Sequence, residues 1–153
     1  MEHLVKFAAD GLLIVILAIT ACVGLYHVVK ARKIRRLAPV AIMAAITALY
    51  VAKLLSIVYQ PSEMRPYIQR GLEAGASYIN NPGFPSDHAL LATVAVIMLA
   101  AVTPYKKLAV GLFILVIIMS AARVVALVHT PMDVIGGIFT AGIGALWYLK
   151  VKN

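Results

Sequence analysis

Gly11-Leu12-Leu13-Ile14-Val15-Ile16-Leu17-Ala18-Ile19-Thr20-Ala21-Cys22-Val23-Gly24-Leu25-Tyr26-His27-Val28-Val29 is an apolar run without a single Asp, Glu, Lys or Arg. Its length is close to the ~20 residues an α-helix needs to cross a bilayer. A cleaved export signal is the competing reading of so early a stretch. Met1-Glu2-His3 lacks a basic leading segment, however, and the run exceeds the roughly 7–15 apolar residues of such a signal. The stretch is therefore expected to be a membrane span, Leu12–Val29.

Four more apolar segments follow: Leu37–Tyr59, Ala89–Thr103, Leu108–Val128 and Val134–Leu149. The third and fifth spans are short and need an extra turn from flanking residues. Backbone groups in lipid must be satisfied internally, so the expected fold is all-α, a polytopic transmembrane bundle of about five helices. Composition agrees. Of 153 residues, 63% are hydrophobic and 13% charged, against about half and about a quarter in soluble domains. One domain, 1–153, fills this length.

The net charge of +8 suits nucleic acid only if the cations form a binding face, and they do not. Lys30, Arg32, Lys33, Arg35 and Arg36 fill the first connection, Lys106 and Lys107 the third, and Lys150 and Lys152 the tail. Segregation of this kind sets membrane topology. These ends are expected in the cytoplasm, and no nucleic-acid partner is expected. The six acids, Glu2, Asp10, Glu63, Glu73, Asp87 and Asp133, then fall outside with the long connection from about Gln60 to Pro85. Pro61, Pro66, Gly71, Gly75 and Asn80-Asn81-Pro82-Gly83 punctuate that connection, which reads either as a solvated loop or as one holding a short interfacial helix. The lone Cys22 offers neither an internal disulfide nor a thiolate metal site. Gly136, Gly137, Gly142 and Gly144 are expected to let helices approach closely. The pattern specifies no oligomeric state.

Lys53 and Arg123 interrupt apolar runs, and a charge there needs a polar cavity or partner, unless a long side chain snorkels to the interface. Several polar residues converge with them. Lys53 lies near the outer end of the second span, Ser86-Asp87-His88 opens the third, Arg123 and His129 end the fourth, and Asp133 begins the fifth. Phe84-Pro85-Ser86-Asp87-His88 puts a helix N-terminus at the membrane surface, where free N–H groups favour a phosphate; an ordinary N-cap is the alternative for Ser86 and Asp87. Asp133 lies four residues after His129, near enough to orient an imidazole. It also has the spacing of a capping box with Thr130.

Pro85-Ser86-Asp87-His88 and Ala122-Arg123-x5-His129-x3-Asp133 resemble the last two motifs of the type 2 phosphatidic acid phosphatase superfamily. That family includes membrane lipid phosphatases and undecaprenyl-diphosphate phosphatases. Asp stands where Gly is common in the second motif, and Ala replaces Ser in the third. The first motif, Lys-x6-Arg-Pro, is altered: Lys53-x6-Gln60-Pro61 keeps the spacing with Gln for Arg, while Arg65-Pro66 carries the Arg-Pro pair five residues later. The resemblance covers about Leu37 to the end. It implies a metal-independent, cofactor-free hydrolase in which His129 is the nucleophile, Asp133 supports it and His88 protonates the leaving oxygen. Lys53, Arg65 (or Gln60), Ser86, Asp87 and Arg123 would bind the phosphoryl group at the extracytoplasmic face of the cell membrane. The Asp87 variant favours a polyprenyl diphosphate, with phosphatidic acid or phosphatidylglycerol phosphate as the alternative. Two other readings compete: a zinc site on two His and two Asp, opposed by the neighbouring cations, and a non-enzymatic carrier or channel, opposed by the clustering of polar groups at one end.

Overall fold

The computed structural model describes residues 2–59, 65–79, 81 and 83–150, and among them the chain is helical with no strand. Six helices are labelled here in chain order: α1 (Glu2–Lys30), α2 (Ile34–Val58), α3 (Pro66–Gln69), α4 (Asp87–Val102), α5 (Lys106–Val125) and α6 (Pro131–Ala145), the last extended by a tight turn over Leu146–Lys150. By length and apolarity α1, α2, α5 and the extended α6 can each cross a membrane. The shorter α4 has 16 residues, about 24 Å at ~1.5 Å per residue, less than the ~30 Å of a hydrocarbon core.

The short helix occupies the middle. α4 packs on α1, α2, α5 and α6, and its residues Ala92, Val96 and Leu99 join Ile16 of α1 and Ala109, Leu112, Val116 and Met119 of α5 in the main apolar core. Large side chains such as Ile14, Leu25, Ile42, Ile46, Ile114, Ile117, Ile135 and Phe139 point outward and stay exposed. In lipid that placement carries no penalty, and small residues and shape drive helix association instead. A helical membrane bundle was the expectation, and this is one.

Three of the four glycines in the last helix do what small residues do at such interfaces. A Cβ at Gly137 would meet the Ser86 carbonyl oxygen at 2.5 Å and Ala89 Cβ at 3.1 Å, one at Gly136 would meet Phe84 Cε2 at 2.6 Å, and one at Gly144 would run into the Ala44 carbonyl. Gly142 faces open space. Gly144→Leu is expected to destabilise the protein by about 1–3 kcal/mol through overpacking, read as a lower thermal midpoint in detergent, while Gly142→Leu leaves it near wild type.

The first helix starts earlier than the apolar pattern suggests. Helical structure runs from Glu2, and a π-helical turn at Phe7–Gly11 widens it just where Asp10 lies. π-turns insert an extra residue into the helical ladder and recur at functional positions. Among its described residues the long connection contains one helical turn, Pro66–Gln69, whose start has Pro66 at the favoured first position. Tyr67 N–H donates to the Leu127 carbonyl at 3.0 Å and Gly75 N–H to the Ala126 carbonyl at 3.0 Å, so this connection is laid across the end of α5.

Candidate active site

α5 ends at Val125, and a tight reversal at residues 126–130, with Leu127 in the left-handed region (φ 59°), hands the chain to α6. His129 sits on that reversal and is only 5% exposed. Its Nδ1 lies 3.4 Å from Asp133 Oδ2. A carboxylate only accepts hydrogen bonds, so this pairing places the proton on Nδ1 and leaves the Nε2 lone pair available.

Asp133 has two duties. It completes a capping box with Thr130: Thr130 N–H donates to Asp133 Oδ2 at 2.7 Å, and Asp133 N–H donates to Thr130 Oγ1 at 3.2 Å. The same Oδ2 faces His129, so the helix start and the imidazole are oriented by one oxygen. Burial pushes His129 below the ordinary imidazole value; the hydrogen bond with Asp133 opposes this, and the charges of Arg123 and Arg65 add to it. The ring is therefore neutral at pH 7.

The two motif-bearing stretches of the sequence, residues 85–88 and 122–133, meet directly, because Ser86 N–H donates to the Asp133 carbonyl at 2.8 Å. Ser86 occupies the N-cap position of α4 yet makes no capping hydrogen bond. Its hydroxyl is fully buried without a partner, so the ordinary N-cap reading does not explain it. First-turn N–H groups of a helix lack intrahelical acceptors, and at α4 they flank this hydroxyl. His88 follows in that same turn.

Arg123, 1% exposed, is the largest of the fully buried side chains. Nη1 donates to Asp10 Oδ1 at 2.9 Å and to the Ala9 carbonyl at 3.4 Å, and Nη2 donates to the Ser77 carbonyl at 2.8 Å. Nε is buried with no partner. Buried donors are almost always satisfied, yet Arg123 Nε and Ser86 Oγ each keep an unused hydrogen-bonding capacity. The charges of Arg123 and His129 act on His88, and those of Arg65 and Asp87 act on Arg123. These groups thus form one electrostatic cluster.

Arg65 is buried at its edge as a clamp on the connection. Nη1 donates to the Val128 carbonyl at 2.5 Å, Nη2 to the Ile79 carbonyl at 2.9 Å and to Asn81 Oδ1 at 2.6 Å, and Nε to the Asn81 carbonyl at 3.3 Å. Most of its fork is thereby engaged by loop acceptors, one of them the residue before His129. Its charge reaches His129, whereas a bidentate grip on phosphate would require releasing those acceptors. Lys53 is exposed and lines a cavity of about 260 Å³ with Ser56, Asn81, Pro85 and Asp87. Gln60, the alternative to Arg65, lies outside the described residues.

Asp10 and Ser77 were absent from the sequence-derived site. Only one signal pointed to Asp10, an acid directly abutting an apolar run. Among the described residues no three of His, Cys, Asp and Glu come together as a metal-binding group.

No similar curated protein and no similar solved structure was found. The family model described as the PAP2 superfamily matches residues 11–153. The match takes in His88, Arg123, His129 and Asp133 within a helical membrane bundle, and the protein belongs to that superfamily of phosphatase-type hydrolases.

Proposed function

We propose that the protein hydrolyses a polyprenyl diphosphate of the undecaprenyl diphosphate type through a phosphohistidine on His129, without a metal. The observation that carries this reading is the buried His129–Asp133 pair, tied through Ser86 to a helix start and set in one electrostatic cluster with Arg123. His129 Nε2 attacks the terminal phosphorus. The bond from phosphorus to the bridging oxygen breaks, its electron pair stays on that oxygen, and His88, charged once the substrate's phosphates offset the burial and the Arg123 charge that otherwise keep it neutral, supplies the proton. Water then attacks the phosphohistidine, the P–N bond returns its pair to Nε2, and His88 takes the water's proton as inorganic phosphate leaves. Arg123 Nε, Ser86 Oγ and the first N–H groups of α4 stabilise the phosphoryl oxygens, with Arg65 adding charge.

A diphosphate is favoured by the second cationic position. Lys53 lines a cavity with Asp87 at the same helix start and can neutralise the second phosphate. A lipid substrate follows from a site at one end of a membrane bundle, where a headgroup meets the helix ends while its tail remains in lipid. The opposite end carries a cavity of about 460 Å³ lined by His27, Lys33, Arg36 and Lys106. Basic ends of this kind stay in the cytoplasm, which supports placing the site at the extracytoplasmic face of the cell membrane.

The test is a phosphate-release panel with purified protein, no added metal, and three substrates: undecaprenyl diphosphate, phosphatidic acid and phosphatidylglycerol phosphate. The diphosphate is expected to be the best substrate by kcat/KM, with activity unchanged by EDTA. A preference for either phosphatidyl substrate would replace the polyprenyl assignment. EDTA inhibition reversed by zinc would overturn the metal-independent mechanism.

A further inference from the structure

Asp10 lies one residue before the stretch matched by the family, and the mechanism above does not use it. It reaches the site from the far end of the sequence, carried on the π-turn of α1 that packs against α5. Its Oδ1 accepts from Arg123 Nη1 at 2.9 Å and lies 3.9 Å from His88 Nε2. Its Oδ2 accepts from both the N–H and the hydroxyl of Ser77 at 2.9 Å. Ser77 closes the ring, since its carbonyl accepts from Arg123 Nη2 at 2.8 Å.

The ring has a directional consequence. A guanidinium donates in a fixed planar fork, and here both terminal nitrogens are held by residues 9, 10 and 77 while Nε is buried without a partner. Simple neutralisation of a buried cation would need one carboxylate contact. A carboxylate that grips Arg123 with one oxygen and anchors the residue holding the other Arg123 nitrogen does more: it fixes the plane of the fork. The geometry points to Asp10 as a positioning residue for the phosphoryl site, orienting Arg123 through its own contact and through Ser77. This rests on the phosphatase reading and deepens it. α1 thereby becomes part of the active site, and Arg123 is prepared for the phosphate before substrate arrives.

A double-mutant cycle tests this, because residues acting through one another are non-additive. Phosphate release and orthovanadate binding, the latter followed by thermal unfolding, are measured for wild type, Asp10→Ala, Arg123→Ala and the double variant. Asp10→Ala is expected to lower kcat/KM and vanadate affinity by about ten-fold or more, with Asp10→Glu recovering most of the loss. In the Arg123→Ala background, removing Asp10 is expected to change neither quantity by more than about two-fold, or to tighten vanadate binding by removing a negative charge. Equal losses in both backgrounds, or wild-type behaviour of Asp10→Ala, would overturn the proposal. If Asp10→Ala yields no folded protein, Asp10→Asn, which keeps the shape and an acceptor, takes its place in the cycle. Vanadate binding needs no turnover: a protein that binds it yet releases no phosphate from any lipid sinks the phosphatase reading, while the vanadate cycle still decides Asp10. A wild-type protein that does neither removes both.

Discussion

His129→Ala is expected to lower phosphate release by about 10⁴-fold or more while the protein stays folded in detergent. On the proposed mechanism His129 is the nucleophile, whose loss leaves no alternative route, while Ser86 and Arg123 stabilise charge. Folding should survive for a local reason. The reversal that carries His129 is held by backbone and by other side chains: Arg65 grips the Val128 carbonyl, Tyr67 N–H donates to the Leu127 carbonyl, and Thr130 caps α6. Phosphate release together with the thermal midpoint checks this. Substantial turnover by the folded variant would remove His129 from the nucleophile role.

Asp133→Asn separates the two duties of one side chain. Asn keeps an oxygen for Thr130 N–H, so the helix start should lose no more than about 1 kcal/mol. What disappears is the negative charge beside the imidazole, which on the proposed mechanism stabilises the ring as it becomes positively charged on phosphorylation. Turnover should therefore fall by about 10²–10⁴-fold with little change in thermal midpoint. Asp133→Ala also removes the acceptor for Thr130 N–H, half of the capping box, and should show both effects. If Asp133→Asn turns over at the wild-type rate, Asp133 is a cap alone.

The contrast between those variants bears on how much could be read from sequence. The capping-box spacing at Thr130 and Asp133 and the His129–Asp133 spacing looked like competing explanations, yet a single oxygen serves both. Ser86 resolved the other way: its position is that of an N-cap, but its hydroxyl caps nothing. Side chains placed by local spacing on helix ends were therefore legible, as was the bundle itself, because apolar runs of span length admit few alternatives.

Contacts set by long-range geometry were not legible. Asp10 and Arg123 are 113 positions apart, and the link depends on a π-turn that no residue type announces. Read from hydropathy alone, Asp10 is a charge flanking the end of a span that starts at Leu12. Arg65 was read by its charge, which does reach His129. Its actual partners are mainly backbone carbonyls, which leave no mark on the residues that bear them. Gly142 shows the same limit from the packing side, since it shares the small-residue pattern of Gly144 but faces open space.

Trapping the proposed covalent phosphohistidine at His129 decides whether the imidazole attacks phosphorus. The chain, in detergent, is mixed with polyprenyl diphosphate carrying a radiolabelled terminal phosphate, quenched in alkali within one turnover, and digested. An acid-labile, alkali-stable label is expected on the peptide containing His129 and is expected to be absent from His129→Ala. Product formation at the full rate with no labelled protein, or label on Ser86 instead, would contradict it.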